Sequence, residues 1–210
     1  MINTTLKNIV VFASGNGSNF RTIHSAICHD KISAKISMLI SNNPDCGAVC
    51  YANENGIDVK IINYRNSPNS KNIVKDLARW LVIEKVDLIL LLGYLKKIPS
   101  LIINRFNRKI LNIHPSLLPD FGGKGFYGNN VHRAVIKSKV KITGATVHFV
   151  NNEYDKGPIL IQESIDVLKD DDINSLSKRV LEKEHEIIFE AVKNFCENRI
   201  KWLNGLPIII

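Results

Sequence analysis

With 210 residues, 45% of them hydrophobic and 23% charged, the chain has the size and balance of one well-buried α/β domain and is short for two. A net charge of +8 and a sequence pI near 9.3 point to an anionic partner. The cations are dispersed (Lys96-Lys97, Arg105, Arg108-Lys109, Lys137–Lys141) without a basic run or aromatic-interleaved stripe, which favours small phosphate-bearing ligands over nucleic acid.

The pattern predicts a strand over Lys7–Ala13, then a Gly-rich turn and a helix near Phe20–His29. Lys35–Ser41 reads as a second strand, Gly47–Asn55 as a short helix, Asp58–Ile62 as a third strand and Ser70–Glu84 as an amphipathic helix. Asp87–Leu92 is a fourth, fully apolar strand, Ser100–Arg105 a short helix and Lys109–Ile113 a fifth strand. Near-continuous Val/Ile/Leu strands separated by helices imply a mostly parallel, twisted sheet with helices on both faces. The pattern then changes. After a helix over Val131–Lys137, Gly144–Val150 and Pro158–Val167 are consecutive strands, an antiparallel excursion, and a long helix over about Asp172–Arg199 follows. No linker or repeat stands out, so a single domain over 1–210 is expected.

Cys28, Cys46, Cys50 and Cys196 form no C-x-x-C pair, so free thiols in a reducing cytosol are expected, with neither a zinc site nor a disulfide framework. The first residues show no leader pattern, and the apolar stretch Val86–Leu92 is too short to span a membrane. The apolar tail Ile208–Ile210 is no anchor. A cytoplasmic protein without membrane partners is the expectation.

Three segments carry chemistry. Ser14-Gly15-Asn16-Gly17-Ser18-Asn19 follows the first strand and opens the first helix, where glycines permit close backbone approach and free N–H groups suit phosphate. No third Rossmann glycine and no Gly-Lys-Ser/Thr follows, so a mononucleotide-type phosphate cradle competes only with a plain structural turn. In Ile110–Pro119 (I-L-N-I-H-P-S-L-L-P), Asn112 and His114 share one face of a strand end, and Pro115 and Pro119 fix the following loop. An amide donor beside an imidazole suits chemistry on a carbonyl, whereas the bland alternative is a capping Asn and a structural His. Gly144–Pro158 ends a strand in a loop carrying Glu153 and Asp155; a carboxylate beside His114 would raise its pKa and orient it. His148, on the strand, reads as a core or supporting residue. His24, His29 and His132 read as helix-surface residues, and His185 lies in the terminal helix; no metal set is formed.

As a set, S-G-N-G-S-N, N-I-H-P-S-L-L-P and T-V-H-F-V-x-x-E-x-D-x-G-P, in that order, resemble the phosphoribosylglycinamide formyltransferase family over about Asn8 to Phe195. The resemblance implies a Rossmann-like formyltransferase fold whose half at about 1–100 binds the phosphoribosyl substrate and whose half at about 101–210 binds folate and catalyses. It implies formyl transfer from 10-formyltetrahydrofolate to the amine of glycinamide ribonucleotide in purine biosynthesis, with no metal. It assigns Asn112, His114 and Asp155 as the catalytic trio and Gly17, Ser18, Asn19 and Glu184 as ribonucleotide contacts. Leu95, Lys96, Lys97 and Ile98, with Asn112 and Asn151, Asn152, Glu153, Tyr154 and Asp155, match folate-contacting segments.

The chain also departs from the family. Lys71 stands near where a folate-touching Arg is common. Gly122–Asn130 is long for its loop, and reads equally as a lid over the site and as a surface insertion. Formyltetrahydrofolate deformylase, methionyl-tRNA formyltransferase and a non-catalytic nucleotide-binding module are the alternatives. The two enzymes normally carry a further domain, for which no room is expected here.

Overall fold

Lys7–Phe12 forms strand β1, and Ile9–Phe12 are fully buried, as a strand covered on both faces requires. The structure, a computed structural model, describes residues 6–63 and 70–210; the first five residues, part of the stretch read for a leader, lie outside it. The chain divides into two compact units, Met1–Leu111 and Asn112–Ile210.

In the first unit, β1 is followed by α1 (Ser18–Cys28), β2 (Ala34–Ser41), α2 (Gly47–Glu54), β3 (Val59–Ile61), α3 (Ser70–Ile83), β4 (Leu88–Leu91) and α4 (Ser100–Arg105). The strands run β3-β2-β1-β4, with the first part of β5 (Ile110–His114) next in order, and the β1–β2, β1–β4 and β2–β3 pairs are all parallel. Parallel pairing needs a crossover between strands, and each helix supplies one. Helix α3 buries Leu77, Ala78 and Leu81, one stripe at helical spacing. Burying each large aliphatic side chain of this kind contributes about 1.5–3 kcal/mol. Asn8 is buried beside this core, where its N–H donates to the Asp87 carboxylate (2.9 Å) and its Nδ2 to the Glu84 carbonyl (2.7 Å).

In the second unit, the rest of β5 is followed by α5 (Asn129–Ser138), β6 (Ile142–Phe149), β7 (Ile159–Asp166), α6 (Ile173–Cys196) and a hairpin of β8 (Ile200–Leu203) and β9 (Leu206–Ile209). β6 and β7 pair antiparallel, the expected excursion. Helix α6 starts with a capping box: Asp172 accepts from the Ser175 N–H, and Ser175 Oγ accepts from the Asp172 N–H. The fold is thus the expected mostly parallel α/β architecture.

The structure departs from the sequence reading at the end of the chain and in α5. The terminal helix stops at Cys196 instead of reaching Arg199, and the tail pairs as a hairpin. Its turn is Asn204-Gly205, both at positive φ (50° and 81°), the two-residue connection whose twist matches paired strands. His132 is not a surface residue: it lies on the buried side of α5 with Val131 and Val135, only 4% exposed.

Candidate active site

In the first unit, β1 ends in the Ser14–Asn19 turn, and α1 begins at Ser18, two residues earlier than its apolar pattern marks. Gly17 precedes the helix at φ 77°, and a Cβ there would stand 2.9 Å from both Cα and Cβ of Ala48. Only glycine satisfies both conditions. No side chain caps α1, so the first-turn N–H groups at Ser18 and Asn19 keep the polarity that attracts an anion.

Ser14, the first residue of the glycine-rich motif, takes a structural role that the motif does not specify. It is buried; its Oγ donates to Asn42 Oδ1 (2.5 Å) and accepts from the Leu95 N–H (3.0 Å), while its own N–H donates to the Gly93 carbonyl (3.1 Å). One serine thereby fastens the turn after β1 to the segment after β4. In that segment Leu95 is exposed, Lys96 and Lys97 are half-buried and Ile98 is buried. Lys71 is exposed in the first turn of α3.

In the second unit, β5 runs one residue further than expected and carries His114 as its last residue. Beyond it, Thr146 on β6 holds the proline-rich loop. Its hydroxyl donates to the Ser116 carbonyl (2.6 Å) and accepts from the Leu118 N–H (3.1 Å) and Gln162 Nε2 (2.8 Å). The loop then brings the Phe121 carbonyl to 2.9 Å from His114 Nε2. A carbonyl can only accept, so Nε2 carries a proton and the neutral ring keeps its lone pair on Nδ1. That Nδ1 lies 3.8 Å from Asp155 Oδ2. His114 and Asp155, far apart in sequence, do come together.

The second face of Asp155 meets another histidine. His148 Nε2 is 3.7 Å from Asp155 Oδ1 and 3.0 Å from Asn112 Nδ2, while His148 Nδ1 is 3.0 Å from the Phe149 carbonyl. Asp155 itself sits at φ 53°, and its Oδ2 accepts from the Gly123 N–H at 2.8 Å. That bond ties the base of the Gly122–Asn130 loop to the carboxylate, and a Cβ on Gly122 would come within 2.5 Å of Leu118 Cδ2. The 151–157 turn is pinned from within by Asn151, whose Oδ1 accepts from the Glu153 N–H (2.9 Å) and whose Nδ2 donates to the Lys156 carbonyl (3.1 Å). A Cβ on Gly157 would fall 1.7 Å from the Phe149 carbonyl oxygen, so this turn closes on the end of β6 only with glycine there. Asn152, Glu153 and Tyr154 are exposed, and Glu184 is half-buried midway along α6.

The electrostatics correct one expectation. Burial pushes the His114 pKa down, and this outweighs the upward pull of the Asp155 charge and of the Phe121 carbonyl; His148 adds to the depression. Asp155 raises its partner's pKa, as expected, but the net result is an imidazole that stays neutral at neutral pH. For Asp155 itself, burial acts to raise the pKa. The nearby His148 and His114 rings and the hydrogen bond from the Gly123 N–H win, and the carboxyl stays below its usual range. His132 is lowered to about 4, first by burial and then by the nearby His114 charge. A neutral imidazole beside an ionised carboxylate, with a neighbouring amide donor, is equipped to accept a proton and return it while an oxyanion forms and collapses. Among the described residues, no group of three or more His, Cys, Asp or Glu side chains is placed to hold a metal ion.

Residues 7–192 match the sequence profile of the family described as formyl transferase. The chain is 44% identical over 205 residues to a protein of Arabidopsis thaliana named phosphoribosylglycinamide formyltransferase, chloroplastic, covering 97% of this chain and 70% of that one. It is 35% identical over 204 residues to the phosphoribosylglycinamide formyltransferase of Haemophilus influenzae, covering 97% and 94%. Among solved structures, glycinamide ribonucleotide transformylase 1 from Symbiobacterium toebii superposes with a TM-score of 0.89 at 32% identity, covering 98% of this chain and 95% of that one.

Proposed function

The chain belongs to the formyl transferase family, and from that premise we propose that its reaction is the one for which its relatives are named. It transfers the formyl group of 10-formyltetrahydrofolate to the amine of glycinamide ribonucleotide, a step of purine biosynthesis, and releases tetrahydrofolate. The observation that carries the reading is the approach of Asp155, from the turn after β6, to the buried imidazole of His114 at the end of β5, the strand that also carries Asn112.

The substrate amine attacks the formyl carbon, forming a C–N bond and an oxyanion. Asn112 donates an amide N–H to that oxygen. His114 accepts the proton of the newly formed ammonium at Nδ1, because Nε2 is committed to the Phe121 carbonyl. The resulting imidazolium stands beside both the oxyanion and the Asp155 carboxylate, which stabilises it against the burial that disfavours its charge. Collapse breaks the bond to the folate nitrogen, and the same Nδ1 proton moves to that nitrogen. Proton uptake and release thus cancel over the cycle. One oxyanion donor is worth about 3–4 kcal/mol of barrier and a positioned acid/base about 10²–10⁴-fold in rate.

Gly17, Ser18 and Asn19 hold the phosphate at the start of α1, with Glu184 contacting the ribonucleotide. The segments Leu95–Ile98 and Asn151–Asp155 contact the folate. The substrates are small molecules, and neither nucleic acid nor membrane enters this reading. All four cysteines are free thiols, which fits a reducing compartment such as the cytosol. Among the described residues no helix is long and apolar enough to cross a membrane.

The test is tetrahydrofolate release from 10-formyltetrahydrofolate with and without glycinamide ribonucleotide. Acceptor-dependent release with formation of the formylated ribonucleotide is expected. Equal release without the acceptor identifies a deformylase, and no release in either case leaves a binding module.

A further inference from the structure

Asn112 has a demanding task in the reading above, on which this inference rests. An amide side chain has a donor end and an acceptor end, and it stabilises an oxyanion only if the donor end faces it. Turned over, its oxygen would repel the developing charge. What sets the orientation lies outside the catalytic trio.

His148 is 2% exposed on β6, and its ring is bonded at both nitrogens. On one side the partner is the Phe149 carbonyl at 3.0 Å, which can only accept, so Nδ1 carries the proton. In the neutral ring Nε2 is then a bare lone pair, and the atom opposite it at 3.0 Å is Asn112 Nδ2. The Asp155 oxygen, 3.7 Å from the same nitrogen, is beyond a direct hydrogen bond. A lone pair at Nε2 accepts only from an N–H, so the amide is held with its NH₂ group towards His148. The second hydrogen of that NH₂ stays available.

We infer that His148 is a positioning residue for the formyl transfer: by accepting one Nδ2 hydrogen of Asn112, it keeps the other directed to the oxyanion. The Phe149 carbonyl is part of the device, since it decides the ring tautomer. The glycine at 157 lets the following turn close on that carbonyl.

The test is a double-mutant cycle read in kcat, using Asn112→Ala, His148→Phe and the double variant, with His148→Leu as a second apolar replacement in case His148→Phe does not fold. His148→Phe keeps a ring but offers no acceptor. It is expected to lower kcat about 10- to 100-fold while both KM values stay within about twofold, part of the loss typical of a missing oxyanion donor. In the double variant the His148 change should cost almost nothing further, because the amide it positions is gone. His148→Gln, whose amide oxygen reaches towards the place of Nε2, should recover most of the activity.

In the wild-type chain, nitrogen NMR should show His148 Nε2 unprotonated and one Asn112 side-chain proton shifted by hydrogen bonding. A protonated Nε2, fully additive losses in the cycle, or unchanged kcat in a folded His148→Phe or His148→Leu would each overturn the inference. Those results are distinct from failure of the catalytic reading itself, which would show as normal turnover in Asn112→Ala alone.

Discussion

Replacing His132 by leucine tests the electrostatics of the second unit in a quantity that does not depend on catalysis. The imidazole is 4% exposed, its Nδ1 is buried without a hydrogen-bond partner, and its pKa falls from 6.5 to about 4. The unfolded chain therefore binds a proton at His132 below pH 6.5 that the folded chain refuses until about pH 4. Stability from this site is intact above pH 6.5 and is lost as pH falls towards 4, with a slope approaching one proton. At about 1.4 kcal/mol per pH unit, the loss reaches about 3 kcal/mol near pH 4 and levels off below it. His132→Leu removes the titration and leaves no bond unmade, so at pH 7 the variant should match or exceed the parent. Between pH 6.5 and 4 its advantage should widen by up to about 3 kcal/mol. Urea unfolding of both proteins at half-unit steps from pH 7.5 to 4 reads this directly. The other titrating groups act in both proteins, so the difference isolates His132. Parallel stability curves would refute the reasoning, as would a variant destabilised by more than about 2 kcal/mol at pH 7, since that would mean the ring makes a bond worth keeping.

His114→Ala and Asn112→Ala should each lower kcat by about 10²–10⁴-fold with small changes in either KM, because their partner is the oxyanion of the transition state. Steady-state kinetics with both substrates varied checks this, and near-normal turnover would remove the mechanism. Asp155→Asn deletes the charge that pulls the His114 pKa upward, so that pKa should fall further; the acid limb of the kcat profile should move to lower pH as turnover drops. Gly17→Val forces a side chain onto a φ of 77° and against Ala48, and should raise KM for the ribonucleotide while sparing that for the folate. Inorganic phosphate should compete with the ribonucleotide alone, and a selective loss of folate binding instead would exchange the two assignments.

Much of this architecture is legible in one dimension. The runs at Ile9–Phe12 and Leu88–Leu91 are unbroken aliphatic and aromatic sequence because both faces of those strands are buried, and helices between them demand parallel pairing. Asn112 and His114 on one strand face, and the glycine before α1, follow from strand periodicity and backbone sterics. The terminal hairpin also has a local sequence signal that the sequence analysis does not use, the Asn204-Gly205 turn. His132 was misread because a polar residue in a helix defaults to the solvent side, whereas α5 turns the Val131, His132 and Val135 side inward.

Other features were settled only when the chain closed in space. No local pattern places the Phe121 carbonyl against His114, Asn112 against His148, or the Gly123 N–H on Asp155; each joins segments whose meeting depends on how intervening strands and loops pack. The His114 pKa shows the same division. The sequence supplied the carboxylate that raises it, but the burial that lowers it further is a property of the folded interior. Desolvation is a sum over all surrounding atoms, whereas a motif names only one or two of them.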